Sequence, residues 1–266
     1  MPSPIWPYQT TGESYLPPVI FLHGFMGSGA DWLPIAENLA AHYYGILPDL
    51  PGHGWNTDFP ITQPVTFDTV AAGLRQLIEQ LNLAPVTLVG YSMGGRIALY
   101  TAIQFPERIA SLVLEGANPG LADEEDQQAR AALDDQRAAQ LRTEGIDTFV
   151  DKWYAMDLFR TLHTNPERLN AMKSCRKKND PSWAAKIISE LSPGRQPPLW
   201  DQLDSLTTPS LLLAGALDTN YTALMSRMGQ SIPHATVEIV PDAGHNIHVE
   251  QPEIFTQMLA NFLQCK

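Results

Sequence analysis

Cysteine is nearly absent from this sequence, which has only Cys175 and Cys265 among its 266 residues. Small secreted domains rely on several disulfides, and structural zinc sites need closely spaced ligands, so both classes are disfavoured. The sequence leaves one disulfide between the two cysteines open. The composition favours reduced thiols and therefore predicts a cytoplasmic protein.

Long apolar runs and a basic amino-terminal segment are also missing. No run approaches the roughly 18 apolar residues that a membrane-spanning helix needs. The opening stretch, MPSPIWPYQTTGESY, lacks the basic and apolar regions of a secretory signal peptide. The sequence therefore predicts neither a membrane span nor a cleaved leader.

Positive charge is scarce, because 17 lysines and arginines face 29 aspartates and glutamates, for a net charge of −12. An acidic surface disfavours nucleic acids and anionic membranes as partners. It also repels anionic small molecules, so a site for such a molecule must be locally basic. The sequence does not determine the oligomeric state, and a monomer is the simplest expectation.

Short apolar runs of strand length are present, and helical patterns separate them. The clearest runs lie at 19–22, 44–47, 86–89, 111–114, 210–213 and 237–240. Most are continuously apolar, which is typical of parallel strands covered on both faces. Apolar residues at helical spacing predict helices at 67–83, 92–104 and 252–263. Strands that alternate with helices predict an α/β fold with a mostly parallel, doubly wound sheet.

This alternation stops between Asn118 and Leu206, where no strand-like run occurs. A polar helical pattern occupies 122–145, and further helices are predicted near 146–156, 166–177 and 182–192. The proline-rich stretch SPGRQPPLW then marks a return to the earlier pattern. We therefore expect a core in two parts, 1–118 and 201–266, with an all-helical cap at 119–200 inserted after a late strand.

Gly90-Tyr91-Ser92-Met93-Gly94 lies between a predicted strand and a predicted helix. G-x-S-x-G in this context forms a tight turn that presents its serine at a helix N-terminus. A serine hydroxyl becomes reactive when a histidine accepts its proton, and a carboxylate must orient that histidine. Ser92 is therefore the candidate for an activated serine.

The acid and the histidine are expected at the carboxyl ends of later strands, because side chains there meet at one sheet edge. Asp218 follows one such strand and His245 follows the next. Asp242 and His248 are nearby alternatives, whereas Asp204 precedes its strand. The predicted triad is Ser92, Asp218 and His245.

An oxyanion hole in such a site combines the N–H after the serine, here that of Met93, with one from the loop after the first clear strand. HGFMGSG at 23–29 forms that loop, and Phe25 is the expected second donor. Its glycines match neither a P-loop nor a dinucleotide fingerprint. With these motifs the sequence resembles the α/β-hydrolase family over nearly its full length. The resemblance implies that fold and a Ser–His–Asp triad, and leaves the reaction open.

Arg96 lies one helical turn after Ser92, on a helix that should pack against the sheet. A buried arginine is costly unless it is paired. One hypothesis is a clamp for a substrate carboxylate, which the planar guanidinium suits. The alternatives are an internal salt bridge, with Glu115 as the obvious partner, and a solvent-exposed helix position.

A narrower resemblance rests on several segments together. They are YSMGGR, LEGANPGL, QQARAALDDQRAAQL, FVDKWY, RKKNDP and AGHNIHVE, within 18–264. These segments are similar to the 2-succinyl-6-hydroxy-2,4-cyclohexadiene-1-carboxylate synthases of menaquinone and phylloquinone biosynthesis. The resemblance implies a lyase that eliminates pyruvate from a tricarboxylate, 2-succinyl-5-enolpyruvyl-6-hydroxy-3-cyclohexene-1-carboxylate, by proton abstraction. It implies no metal and no organic cofactor.

The same resemblance implies residue roles. Ser92 is the base of the triad with His245 and Asp218, and Phe25 and Met93 are the oxyanion donors. The residues implied to bind substrate are Arg96, Arg130, Arg176, Tyr91 and Trp153, with Arg137 as the fallback for Arg130. A serine hydrolase acting on an ester, lactone or C–C bond is the first alternative. A non-catalytic ligand-binding protein is the second.

Overall fold

Seven strands form one sheet in this computed structural model, which describes residues 6–83 and 85–264. The strands are β1 (Tyr8–Thr11), β2 (Pro18–Leu22), β3 (Tyr44–Pro48), β4 (Val86–Tyr91), β5 (Ile109–Glu115), β6 (Ser210–Gly215) and β7 (Ala235–Val240). Their spatial order is β1-β3-β2-β4-β5-β6-β7. Strands β2 to β7 pair in parallel, and β1 pairs antiparallel with β3 at the edge. The predicted mostly parallel sheet is confirmed.

The sequence prediction found β2 to β7 and missed β1. The four residues of β1 are YQTT, and most of them are exposed. An edge strand covered on one side needs no continuous apolar run, so it lacks the signal that marks the inner strands.

Helices cover both faces of the sheet. They are α1 (Leu33–Leu39), α2 (Phe67–Gln80), α3 (Met93–Gln104), α7 (Thr219–Ser231), α8 (Ile247–Glu250) and α9 (Pro252–Gln264). Ile20 and Leu22 point into the apolar cluster that α2, α3 and α7 complete. Val19 and Phe21 point into the opposite cluster, which α1 and α9 complete. This two-sided burial explains why the strand sequences are continuously apolar.

The segment between β5 and β6 is helical, as predicted. It contains α4 (Glu124–Tyr154), a 3-10 helix at Asp157–Thr164, α5 (Pro166–Arg176) and α6 (Pro181–Glu190). We call this segment the cap. Gly145 interrupts α4 with a φ of 81°, and the cap has its own apolar cluster around Leu141, Phe149 and Ile188. The domain boundaries at 118/119 and 200/201 stay a prediction.

Within 6–83 and 85–264, no helix is both long enough and apolar enough to cross a membrane. The described cysteine, Cys175, is a free and exposed thiol. Cys265 lies outside the described residues.

Candidate active site

Ser92 occupies a sharp turn between β4 and α3. Its φ of 51° and ψ of −110° are unusual for a residue with a side chain. A side chain on Gly90 would come within 2.6 Å of the Gly94 carbonyl oxygen, and one on Gly94 would overlap the Leu22 carbonyl. The turn therefore needs glycine on both sides of the serine, and it places Ser92 at the carboxyl end of β4.

The structure brings Ser92, His245 and Asp218 into one hydrogen-bonded chain. His245 Nε2 lies 3.3 Å from Ser92 Oγ, and His245 Nδ1 lies 2.9 Å from Asp218 Oδ2. Because a carboxylate accepts, Nδ1 carries the proton and Nε2 is left to accept from the serine hydroxyl. The three residues follow β4, β7 and β6, so the sheet edge assembles them.

Hydrogen bonds from neighbouring groups support the acid and the histidine. Asp218 begins α7, and its other oxygen accepts from the Tyr221 N–H at 3.2 Å. In the histidine loop, the Glu250 carboxylate accepts from the N–H groups of Gly244, at 2.9 Å, and Asn246, at 3.2 Å. Glu250 thus brackets His245 from both sides and restrains its loop.

The alternative histidine, His248, has a different partner. Its Nδ1 lies 2.7 Å from Glu115 Oε2, and its backbone N–H donates to Glu115 Oε1 at 3.1 Å. Both groups are buried, and the His248 ring stacks on Trp32 at 4.2 Å. Asp242 is exposed, and Asp204 lies in the 3-10 helix at Trp200–Ser205 that precedes β6. None of these alternatives reaches Ser92.

Phe25 and Met93 line a cavity of about 290 Å³ together with Ser92. Within the described residues, neither backbone N–H has a hydrogen-bond acceptor. His23 shapes the Phe25 loop, because its Nδ1 donates to the Gly24 carbonyl at 2.8 Å and its Nε2 accepts from the Leu50 N–H at 3.0 Å. Burial lowers the pKa of His23 to about 4, so it stays neutral in this role.

Arg96 is buried and lines the same cavity. Its Nη1 donates to the Leu191 carbonyl at 3.0 Å and to Gln196 Oε1 at 3.2 Å, and its guanidinium lies 5.5 Å from the centre of the Phe67 ring. Within the described residues Arg96 forms no ion pair, and the expected partner Glu115 is bound by His248 instead. Both alternatives for Arg96, the salt bridge with Glu115 and the exposed position, are therefore wrong.

Burial lowers the pKa of Arg96 to about 10, which still leaves it charged at neutral pH. The cavity thus contains a buried cation whose protein partners are all neutral.

Two further arginines reach the cavity from α4. Arg130 Nε and Arg137 Nη1 each lie 2.8 Å from the Asp134 carboxylate, which also accepts from the Ser192 hydroxyl at 2.7 Å. Three arginines and one aspartate line the cavity, which leaves two net positive charges. This local charge supplies the basic site that a protein with an overall charge of −12 needs to bind an anion.

Arg176 has a partner within the protein, and its predicted contact with the substrate stays a prediction. Its guanidinium forms a two-point ion pair with Asp31, at 2.9 and 2.8 Å, and its Nε donates to the Tyr154 hydroxyl at 3.3 Å. It is not among the residues that line the cavity. Arg176 ends α5 and Asp31 lies in the 3-10 helix at Gly29–Trp32, so this ion pair joins the cap to the core. Arg137 is the third arginine of the cavity.

Of the two aromatic residues predicted to bind substrate, one lines the cavity and the other does not. Trp153 lines the cavity, 5.2 Å from the Phe25 ring. Tyr91 does not line it, because its side chain turns back against Gly24 and the His248 ring, which is 4.9 Å away. Tyr221 lines it instead, with its ring 4.5 Å from that of His245.

Sequence reasoning missed Tyr221. The available signal was its position three residues after Asp218, in the first turn of the following helix. A larger groove, of about 630 Å³, runs along α2, but none of the predicted site residues lines it.

Comparisons with known proteins show the family to which the chain belongs. The sequence profile of the alpha/beta hydrolase fold family matches residues 17–252. The 2-succinyl-6-hydroxy-2,4-cyclohexadiene-1-carboxylate synthase of Serratia proteamaculans is 34% identical over 253 residues, which cover 95% of each chain. The chain belongs to the α/β-hydrolase family and, within it, to these synthases.

Two further relatives of this synthase show the extent of the match. A solved structure, described as MenH from S. aureus, superimposes with a TM-score of 0.92 at 32% identity and covers 97% of both chains. The protein PHYLLO of Arabidopsis thaliana is 34% identical over 258 residues, but the chain spans only 15% of its length. The resemblance and the fold class predicted from the sequence are both confirmed.

Proposed function

We propose that this chain eliminates pyruvate from 2-succinyl-5-enolpyruvyl-6-hydroxy-3-cyclohexene-1-carboxylate and so forms 2-succinyl-6-hydroxy-2,4-cyclohexadiene-1-carboxylate. The proposal rests mainly on one cavity that is lined by Ser92 of the hydrogen-bonded triad and by three arginines. With Asp134, these arginines give the cavity two net positive charges. The substrate has three carboxylates. Esters and lactones without carboxylates would have no use for these cations.

In the first step, Ser92 acts as the base. Asp218 holds His245 with Nδ1 protonated, and Nε2 draws the hydroxyl proton from Ser92 as its oxygen takes the proton from ring carbon C2. The electron pair of the broken C–H bond moves onto the carbonyl oxygen of the succinyl group. The N–H groups of Phe25 and Met93 are free to donate to that developing oxyanion.

In the second step, the enolate carbonyl re-forms and its electron pair returns to the ring. The ring double bond shifts, and the bond between C5 and the enolpyruvyl oxygen breaks. The enolpyruvyl group departs with the electrons of the broken C5–O bond. It takes up one proton, which balances the proton passed from C2 to the triad, and becomes pyruvate. One proton leaves the ring and one C–O bond breaks, so the reaction balances without a redox partner.

Substrate binding is assigned to the arginines. Arg96 has only neutral protein partners, so its charge is available for a substrate carboxylate. Arg130 contacts Asp134 through Nε alone, which leaves its two terminal nitrogens for a second carboxylate. Trp153 and Tyr221 supply apolar walls for the ring.

A cytoplasmic enzyme that acts on a free small molecule fits the composition. Two cysteines in 266 residues indicate a reducing compartment, and the net charge of −12 disfavours nucleic acid as a partner.

A serine hydrolase remains the second candidate, because the chain from Ser92 to Asp218 and the two free N–H groups also suit acyl transfer. It would form a covalent acyl group on Ser92, which the elimination does not. Mass spectrometry of protein treated with a neutral p-nitrophenyl ester distinguishes the two reactions.

The test supplies the enolpyruvyl substrate and follows pyruvate with a coupled NADH assay. We expect turnover by the wild-type chain, and a loss of about 10²- to 10⁴-fold in kcat in Ser92→Ala, because the general base is removed. Circular dichroism of Ser92→Ala controls for folding. Folded wild-type protein that releases no pyruvate, or equal rates in both proteins, would contradict the proposal.

A further inference from the structure

The chain returning from the cap to the core passes directly beside Arg96. Gln196 lies on this return and is only 2% exposed. Its Oε1 accepts from Arg96 Nη1 at 3.2 Å, and its Nε2 donates to the Asn118 carbonyl at 3.1 Å. Because the amide nitrogen must face that carbonyl, the amide oxygen must face the arginine.

The partners of Arg96 locate its guanidinium without cancelling its charge. Gln196 and the Leu191 carbonyl are neutral acceptors, and the Phe67 ring is a neutral surface. The other arginines considered for substrate binding differ, because Arg130 and Arg137 share the Asp134 carboxylate and Arg176 is paired with Asp31. Buried arginines usually have an acidic partner, so an amide in this position needs a reason.

A glutamate has the same shape as Gln196, but like a methionine it would lose the hydrogen bond to the Asn118 carbonyl. It would form an ion pair with Arg96 and so offset the positive charge that Arg96 brings to the cavity. An amide accepts a hydrogen bond from Arg96 without neutralising it, whereas a carboxylate would neutralise it.

We infer that Gln196 is a specificity-determining residue, which holds Arg96 in position while reserving its charge for a carboxylate of the substrate. Gln196 acts through Arg96 and is a positioning residue. The inference rests on the proposed function, which identifies the substrate. It adds a role in substrate specificity for a residue that is neither in the triad nor one of the arginines.

A purely structural role for Gln196 predicts something different. Its bonds join the cap return to the loop after β5, so a structural role would lower stability on substitution and leave substrate affinity unchanged. The test must therefore separate the charge of the side chain from its contribution to folding.

The experiment compares Gln196→Glu with Gln196→Met, in which Arg96 loses an acceptor but keeps its charge. We expect the KM for the enolpyruvyl substrate to rise about tenfold or more in Gln196→Glu and at most about threefold in Gln196→Met, with kcat changed less than KM in both. Gln140→Glu adds the same charge at an exposed site of α4 and should leave KM unchanged.

Anion binding is measured separately with propane-1,2,3-tricarboxylate, by quenching of tryptophan fluorescence, in the same variants. If Gln196→Glu binds the tricarboxylate more weakly and the other variants do not, the inference is supported. This holds even if the wild-type chain releases no pyruvate, a result that would contradict only the proposed function. Equal effects of Gln196→Glu and Gln196→Met, or lower thermal stability with unchanged KM and unchanged binding, would overturn the inference. A wild-type chain that neither turns over the substrate nor binds the tricarboxylate would overturn both.

Discussion

Arg96 and Arg176 are both buried, and the difference between them lies in their partners. Arg176 pairs with Asp31 through two hydrogen bonds, so its charge is used within the protein. Arg96 bonds to a carbonyl and an amide, so its charge is left for a ligand. At the scale of single residues, the partner of a buried cation decides whether it is part of the scaffold or part of the binding site.

Arg176→Met tests this distinction. The substitution leaves Asp31 in a largely buried site without its partner, and we expect the free energy of unfolding to fall by about 3 kcal/mol. Urea unfolding followed by circular dichroism measures it. The double variant Asp31→Asn/Arg176→Met should recover part of the loss, because no unpaired charge remains.

A stable Arg176→Met protein with a KM raised tenfold would instead support the substrate contact that the family resemblance implies. It would contradict the role that the ion pair indicates.

At the scale of elements, the strand–turn–helix around Ser92 depends on close packing of backbone. Gly94 lies in the first turn of α3, directly against the Leu22 carbonyl at the end of β2. The sharp turn at Ser92 is therefore packed against β2, the strand that precedes the Phe25 loop at 23–29. Gly145 shows a different use of glycine, because it has open space around it and a φ of 81° where α4 breaks.

Gly94→Ala should destabilise the protein much more than Gly145→Ala. In Gly94→Ala the new methyl group meets rigid backbone, whereas in Gly145→Ala the cost is conformational strain alone, about 1 to 3 kcal/mol. Thermal unfolding of the two variants compares them. Equal melting temperatures would show that the backbone around Gly94 can shift to accommodate a side chain.

At the scale of the whole molecule, the positive charge at the cavity is opposite in sign to the net charge of the protein. A protein with a net charge of −12 concentrates three arginines around one cavity, while two buried histidines near the oxyanion loop are kept neutral. His23 and His53 lie 4.9 Å apart, and burial lowers their pKa values to about 4 and about 3. Protonation of either histidine would place an unpaired charge in the interior.

These histidines predict a loss of stability in mild acid. In the unfolded chain a histidine has a pKa near 6.5, so between pH 6.5 and 4 the unfolded state binds protons that the folded state does not. The free energy of unfolding should therefore fall as pH drops through that range, by about 1.4 kcal/mol per unit for each histidine at most. Urea midpoints at pH 7.5 and pH 5 measure the fall.

His53→Asn is the matched variant, since an asparagine can keep the hydrogen bond to the Pro51 carbonyl but does not titrate. It should show a smaller loss of stability between pH 7.5 and pH 5 than the wild-type chain. The same loss in both proteins would exclude His53 as a source.

Local patterns in the sequence determined much of this protein. Continuous apolar runs predicted six strands, and the placement of Ser92, Asp218 and His245 after three of them predicted the residues that meet at the sheet edge. These predictions succeeded because strand periodicity and the position of a residue after its strand are local properties.

Only the tertiary structure decided which arginines share the cavity. It brings Arg137 and Tyr221 to the cavity, pairs Arg176 with Asp31 and packs Tyr91 against His248. It also places Gln196 against Arg96, 100 residues apart in sequence. The reason is physical. The direction and partner of a long polar side chain depend on what packs around it, and in the cap those neighbours come from distant parts of the chain.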